Sequence, residues 1–474
     1  MVGENGAGKS SLMNVLYGLY HPDVGELTLD GKPVRFKSPR DAIARGIGMV
    51  HQHFMLVPTL TVAENVVLGR EPTRRGMLDM ERAVSEVAST CARFGFELEP
   101  RARVDTLSVG SQQKVELVKA LHRGAQVLVL DEPTAVLTPQ EAEELGHILR
   151  GLVAQGRTVV LISHKLKEVL GVADRIAVMR RGRVVAEVRA SETNASKLAA
   201  LMVGEGHLPP KASTEAPRAS TGEVLLEARG LRASGDNGRP ALRGVDLTVR
   251  AGEIVGIAGV DGNGQRELAE VLTGLRRLAA GEGTLLGRPL AGLTPAGARE
   301  RGVGHIPEDR LRRAVVKALT VEENVALGRH SRPPFAKGPW LDFAGRRERT
   351  RQLLAAYDVR PPQPELPLQH LSGGNQQKVV VARELDAQPR LLVVVQPTRG
   401  LDIGAVAQVH ARLREAREQG AGVLMVSLDL EEVLALSDRV YVLFEGRVTG
   451  TFTRPDFDER ELGRRMLGAE GGHA

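Results

Sequence analysis

Lys9 and Ser10 close the run Gly3-Glu4-Asn5-Gly6-Ala7-Gly8-Lys9-Ser10. That spacing makes a cradle for phosphate. Glycines let consecutive backbone N–H groups turn inward around an anion, and a helix opening directly behind them adds partial positive charge. Here the helix pattern runs from Ser11 to Tyr17. Lys9 is then expected to reach the β- and γ-phosphates of a nucleoside triphosphate, and the Ser10 hydroxyl to ligate Mg²⁺. Glu4, Asn5, Gly6, Ala7, Gly8 and Ser11 complete the loop by their backbones.

Three further positions fit the same chemistry. Val127-Leu-Val-Leu is a buried-strand run that ends in Asp131-Glu132. Asp131 is placed to hold the Mg²⁺, and Glu132, one residue further out, to orient and activate an attacking water. His164 follows the strand Val159-Val-Leu-Ile-Ser and would face the γ-phosphate from the same end of the sheet. Gln52, in Met49-Val-His-Gln-His-Phe, precedes a loop and can touch the metal or the water. His164 and Gln52 carry information only as members of this ordered set.

The elements that must position these groups alternate. Glu141 to Ala154 has helical spacing and Thr158-Val-Val-Leu-Ile reads as a second buried strand. Such alternation is the α/β pattern of a parallel sheet. It also occurs twice. Gly3-Glu-Asn-Gly-Ala-Gly-Lys-Ser returns as Gly259-Val-Asp-Gly-Asn-Gly-Gln-Arg, Thr61-Val-Ala-Glu-Asn-Val as Thr320-Val-Glu-Glu-Asn-Val, and Leu107-Ser-Val-Gly-Ser-Gln-Gln-Lys as Leu371-Ser-Gly-Gly-Asn-Gln-Gln-Lys. Pro133-Thr134 and Ser163 return as Pro397-Thr398 and Ser427. One pattern recurs in order, which makes the chain a tandem repeat. The expected organisation is a first domain at 1–204, a Pro- and Ala-rich linker at 205–221 and a second domain at 222–474.

The copies begin differently. Three strand-like stretches, Val224-Leu-Leu-Glu-Ala-Arg-Gly-Leu, Leu242-Arg-Gly-Val-Asp-Leu-Thr-Val and Ile254-Val-Gly-Ile-Ala, precede the second loop, whereas only Met1-Val2 precede the first. Two residues are too few for a delivering strand, so the first domain is expected to lack its N-terminal strands and to bind nucleotide weakly as it stands.

Composition narrows the class. Of 64 basic residues 12 are Lys and 52 Arg, spread along the whole chain without the clusters that a nucleic-acid face needs. No direct nucleic-acid partner is expected despite a sequence pI of 9.5. No apolar run approaches the roughly 20 residues of a membrane helix. Cys91 is the only cysteine, which excludes an internal disulfide and a thiolate zinc site.

Leu371-Ser372-Gly373-Gly374-Asn-Gln-Gln-Lys, taken with the loop at Lys9, Gln52, Asp131-Glu132 and His164 in order, resembles the ATPase subunit of ABC transporters. The resemblance covers nearly the whole chain. It implies two P-loop ATPase domains arranged head to tail, with each ATP between one domain's loop and the other's Ser-Gly-Gly signature. The second copy has Gln265 for Lys9, Val395 for Asp131, Gln396 for Glu132, Leu428 for His164 and Glu308 for Gln52, yet keeps Ser372, Gly373 and Gly374. The first copy keeps its catalytic set and has an altered signature, Leu107-Ser-Val109-Gly. Losses sorted this way leave one complete composite site. Within the family the chain looks most like the nucleoside branch of monosaccharide and nucleoside importers, on Gly259-Val-Asp-Gly-Asn-Gly-Gln, His305-Ile-Pro-Glu-Asp-Arg310 and Gln396-Pro-Thr-Arg-Gly-Leu-Asp402. A simple sugar is the runner-up substrate. The resemblance also implies two integral-membrane permease subunits as partners, an extracytoplasmic substrate-binding lipoprotein, and peripheral attachment at the cytoplasmic face of the bacterial plasma membrane. A ribosome-associated two-domain ABC factor is the alternative of another class. Such factors keep both catalytic sets and carry a long charged linker.

Overall fold

The computed structural model describes residues 1–3, 7–51, 54–134, 137–163, 165–180, 182–203, 222–236, 238–401 and 403–468. The chain divides into two compact units, Met1–Leu208 and Pro209–Ala474. The boundary falls inside the sequence-predicted linker, which itself lies outside the described residues.

The second unit is built on a six-stranded sheet in the order Val303–Ile306, Leu391–Val395, Gly422–Val426, Ile254–Ala258, Arg439–Phe444, Arg447–Thr453. The first five strands are parallel and the last is antiparallel. Leu391–Val395, Gly422–Val426 and Ile254–Ala258 are buried at every position, as strands covered on both faces must be. That requirement explains their unbroken aliphatic composition. A second, antiparallel sheet pairs Val224–Ser234 with Pro240–Arg250 and Ala280–Leu285.

The first unit repeats this plan with a seam. Ile47–Val50, Val127–Asp131 and Thr158–Ile162 form a parallel three-stranded sheet, and Val2–Gly3, Arg175–Arg180 and Arg183–Arg189 a second one, in which Val2–Gly3 is parallel and Arg183–Arg189 antiparallel to the central strand. The expectation that too little chain precedes the loop to make a strand needs correction. Val2 and Gly3 pair in parallel with Val178 and Met179, so a two-residue strand does deliver the loop. Met1, directly before it, is bonded to the other sheet: its ammonium donates to the Leu161 carbonyl at 2.6 Å and its carbonyl accepts from the Ser163 N–H at 3.4 Å. The corresponding strand of the second unit, Ile254–Ala258, is laddered on both sides.

A helical layer packs beside the edge strands Ile47–Val50 and Val303–Ile306 of their sheets. Its members are Val62–Val67, Met80–Phe94 and Val109–His122 in the first unit, and Val321–Ala326, Phe343–Ala356 and Gly373–Asp386 in the second. The repeated Thr-Val-x-Glu-Asn-Val motif starts this layer. Thr61 and Glu64 satisfy each other's backbone N–H groups in a capping box, as do Thr320 and Glu323. Asn65 and Asn324, both fully buried, tie the preceding loop down. Each accepts from a valine N–H (Val57 at 2.7 Å, Val316 at 2.9 Å) and donates back to that valine's carbonyl. An unpaired amide there would cost about 1–3 kcal/mol, which accounts for Asn in both copies.

Candidate functional site

In the first unit the helix Lys9–Leu16 begins two residues earlier than its sequence pattern and places Lys9 at its first position. Gly8 caps it at φ 96°, a left-handed conformation that only glycine adopts freely. Gly3 has no room for a side chain, because a Cβ would lie 2.4 Å from the Met179 carbonyl oxygen. The buried Lys9 Nζ donates to the Gly3 carbonyl at 2.7 Å, so the ammonium is folded back over its own loop. The Ala7 carbonyl is fixed by the Gly182 N–H at 2.9 Å. Glu4, Asn5 and Gly6 lie outside the described residues, as do Gln52 and His164.

Ser10 and Ser11 face solvent at the helix start. The Ser10 hydroxyl donates to Asp131 at 3.4 Å, across 121 residues of sequence. Asp131 ends the strand Val127–Asp131. Its carboxyl is pushed above the usual range, first by burial and then by the neighbouring Glu132 carboxylate, against the opposing pull of Ser10 and Lys9. A half-buried carboxylate raised by a second carboxylate is a group that a cation would relieve. With Ser10 beside it, the donor set fits a hard, oxygen-ligated ion such as Mg²⁺. Glu132 follows at φ 48°, left-handed backbone that is uncommon for a residue with a side chain. Its N–H donates to the Ile162 carbonyl at 2.9 Å, which pins the turn to the next strand.

Beyond this turn lies a ring of contacts that sequence reasoning missed. The Thr134 hydroxyl donates to Glu168, the Lys165 Nζ bonds the same carboxylate at 3.3 Å, and that Nζ also donates to the Thr134 carbonyl at 3.2 Å. Thr134 stands two residues after Glu132, and Lys165 directly after His164. The ring therefore ties the exits of two neighbouring strands together. The second unit has the equivalent arrangement. Glu432 accepts from Thr398 at 2.8 Å and Ser427 at 2.6 Å, and bonds His410 at 2.9 Å. The return of Glu168 as Glu432, in step with Thr134 and Thr398, was the available signal. The loop that carries Gln52 is anchored too: Met55 N–H donates to Glu116 at 2.6 Å, and Lys119 Nζ donates to the Met55 carbonyl at 3.0 Å.

The second unit preserves the frame and replaces the chemistry. Gln265 stands in Lys9's place and donates to the Val260 carbonyl at 2.8 Å. Arg266, in the place of Ser10, is paired with Asp236 and Glu270, both at 2.9 Å. Gln396 keeps the left-handed turn of Glu132, at φ 51°, with its N–H on the Val426 carbonyl at 2.8 Å. Ser372 caps the 14-residue helix Gly373–Asp386, accepting from the Asn375 side chain at 2.9 Å, and is exposed. Ser108 caps Val109–His122 by accepting from the Ser111 N–H at 3.2 Å, and donates to the Ser111 hydroxyl at 3.1 Å.

A glycine loop opening a helix, with a lysine over it and a strand-end carboxylate beside its serine, defines a P-loop nucleotide-binding protein, here followed by a second unit that keeps the backbone frame with Gln265, Arg266 and Val395 in the three places. The ABC transporter family model matches residues 1–135 and 242–399. The chain is 46% identical over 469 residues to the guanosine import ATP-binding protein NupO of Bacillus subtilis, covering 99% of this chain and 91% of that one. It is 44% identical over 468 residues to the nucleoside import ATP-binding protein NupA of Lactococcus lactis, covering 99% and 92%. It is 44% identical over 478 residues to a ribose import ATP-binding protein, RbsA 1, of Rubrobacter xylanophilus, again covering 99% and 92%. The chain belongs to the ABC transporter family. It is an ABC-type ATPase of the nucleoside and ribose import type, and the reading as a translation factor finds no support among these relatives. Among the described residues no helix is long and apolar enough to cross a membrane.

Proposed function

We propose that this chain hydrolyses ATP to drive import of a nucleoside through two partner permease subunits, themselves fed by an extracytoplasmic substrate-binding lipoprotein. The observation that carries the reading is the convergence of Lys9, Ser10 and Asp131 in a unit whose Glu132 follows on a pinned turn. In this reading Lys9 leaves the Gly3 carbonyl for the β- and γ-phosphates. Ser10 and Asp131 hold Mg²⁺, which neutralises phosphate charge when bound. Glu132 orients and deprotonates the attacking water. Gln52 and His164 complete the set around that water and the γ-phosphate. Ser372, Gly373 and Gly374 of the second unit supply N–H groups and a hydroxyl to a terminal phosphate. The subunit acts at the cytoplasmic face of the plasma membrane, held there by the permeases.

The names of the relatives support a nucleoside, with a simple sugar such as ribose as the second reading. Uptake of labelled guanosine and labelled ribose is measured in cells carrying the parent chain or Lys9→Ala. Loss of guanosine uptake alone supports the proposal. Loss of ribose uptake alone replaces the nucleoside by the sugar.

A further inference from the structure

Among the described residues Arg310 is a cation with no paired anion. It opens the short helix Arg310–Arg313, four residues after the strand Val303–Ile306, and is half-buried. Among the described residues no carboxylate is paired with its guanidinium. Its single hydrogen bond is to the Arg399 carbonyl at 3.4 Å, and its Nε is buried with no partner. Burial pulls its pKa down, with only the neighbouring Asp309 opposing. Leaving a charged donor buried and unsatisfied is costly, so the arrangement requires a reason.

The guanidinium lies against the signature. A Cβ added to Gly373 would sit 2.5 Å from Arg310 Nη2. Gly373 has an ordinary backbone and is not among the left-handed glycines. Its lack of a side chain makes room for Arg310. The first unit supports this reading: Val109 occupies the place of Gly373, and, counted from the paired strands Ile47–Val50 and Val303–Ile306, Phe54 occupies that of Arg310. The unit with a valine has no arginine, and the unit with the arginine has glycine.

We propose that Arg310 is a phosphate-binding group of the second unit's signature, contacting the terminal phosphate of the nucleoside triphosphate that Ser372 and Gly374 receive. The inference rests on the signature role proposed above. The helix N-terminus at Ser372 supplies N–H groups and a hydroxyl. Arg310 adds the full positive charge and the planar donor fork suited to phosphate oxygens. Glu308, which could compete for it, is occupied by Arg399.

The test is steady-state hydrolysis by the full chain, with KM for ATP and the inhibition constant for ADP measured on Arg310→Ala, Arg310→Lys, Ser372→Ala and the double variant Arg310→Phe/Gly373→Val. Thermal melts confirm folding. Arg310→Ala should weaken ATP about tenfold or more, the scale of one charge-assisted hydrogen bond. ADP, which lacks the terminal phosphate, should be unchanged, and Arg310→Lys should recover part of the loss. The double variant copies the first unit's packing and should fold yet remain weak for ATP. Equal effects on ATP and ADP, or full recovery in the double variant, would overturn the proposal. If Ser372→Ala discriminates ATP from ADP and Arg310→Ala does not, Arg310 alone is wrongly assigned. If neither discriminates, the signature reading falls and the inference with it.

Discussion

The Ser10 hydroxyl meets the Asp131 carboxylate at 3.4 Å, joining the first helix of the chain to the end of a strand 121 residues away. That relationship brings the hydroxyl behind the glycine loop to the strand-end carboxylate in the first unit. The second unit has no counterpart, since Arg266 and Val395 stand in the two places.

Glu132→Gln should abolish turnover while ATP binding survives. Activation of water is what is lost, because the hydrogen bonds from Lys9 to the Gly3 carbonyl and from Ser10 to Asp131 do not use this carboxylate. The pinned turn at Glu132 tolerates the change, since Gln396 adopts the same backbone in the second unit. Steady-state hydrolysis within threefold of the parent would show that the base has been misassigned.

Ser372→Arg should damage hydrolysis far more than Ser108→Arg. Each serine caps its helix through the same backbone contacts, so the structural cost is matched. The difference should come from the signatures themselves, Ser-Gly-Gly in the second unit and Ser-Val-Gly in the first. Comparable losses in a paired ATPase assay would argue against a phosphate-binding role particular to the second unit's signature.

The ring of Thr134, Lys165 and Glu168 should act on kcat. Glu168→Ala frees the exits of two strands, beside Glu132 on one and His164 on the other, and a small misplacement of reacting groups can cost about 100-fold in rate. The expected result is a drop in kcat of at least tenfold with KM for ATP little changed, and partial rescue by Glu168→Gln. Glu432→Ala breaks the equivalent contacts in the second unit and should lower stability with little effect on kcat. A shift in KM alone after Glu168→Ala would be inconsistent with a positioning role.

Acid should loosen the second unit through His305. Burial lowers its imidazole pKa to about 4, against 6.5 for the free side chain. Between those values the unfolded chain binds a proton that the folded unit refuses. Stability therefore falls as pH drops from about 6.5 toward about 4, by no more than about 3 kcal/mol. Urea melts of the parent and His305→Asn across this window check it. Parallel slopes would assign the acid loss to other groups.

Much of this was legible because the decisive motifs are contiguous. The glycine loop, the strand ending in Asp131-Glu132 and the Ser372-Gly373-Gly374 turn each declare themselves within about eight residues. The strands were legible for a related reason, since burial on both faces demands unbroken aliphatic runs. What escaped depends on partners brought together from separate strand exits. Glu168 gains meaning only beside Thr134 and Lys165, and Arg310 only beside Gly373. The length of a strand also escaped: Val2 and Gly3 suffice for a two-position ladder that their number alone argued against.

The second unit's losses differ in how firmly they are locked. At Gln396 the backbone corner survives intact, so one substitution to glutamate would return a carboxylate to a ready-made mount. At Arg266 the reverse holds. Its guanidinium is bound to Asp236 and Glu270, and Glu270 also receives Arg276 and Arg313. Restoring serine there would leave a nearly buried carboxylate with one fewer counter-charge. At the glycine loop, then, a return to the first unit's chemistry is barred by a network of ion pairs more than by the absence of a lysine and a serine.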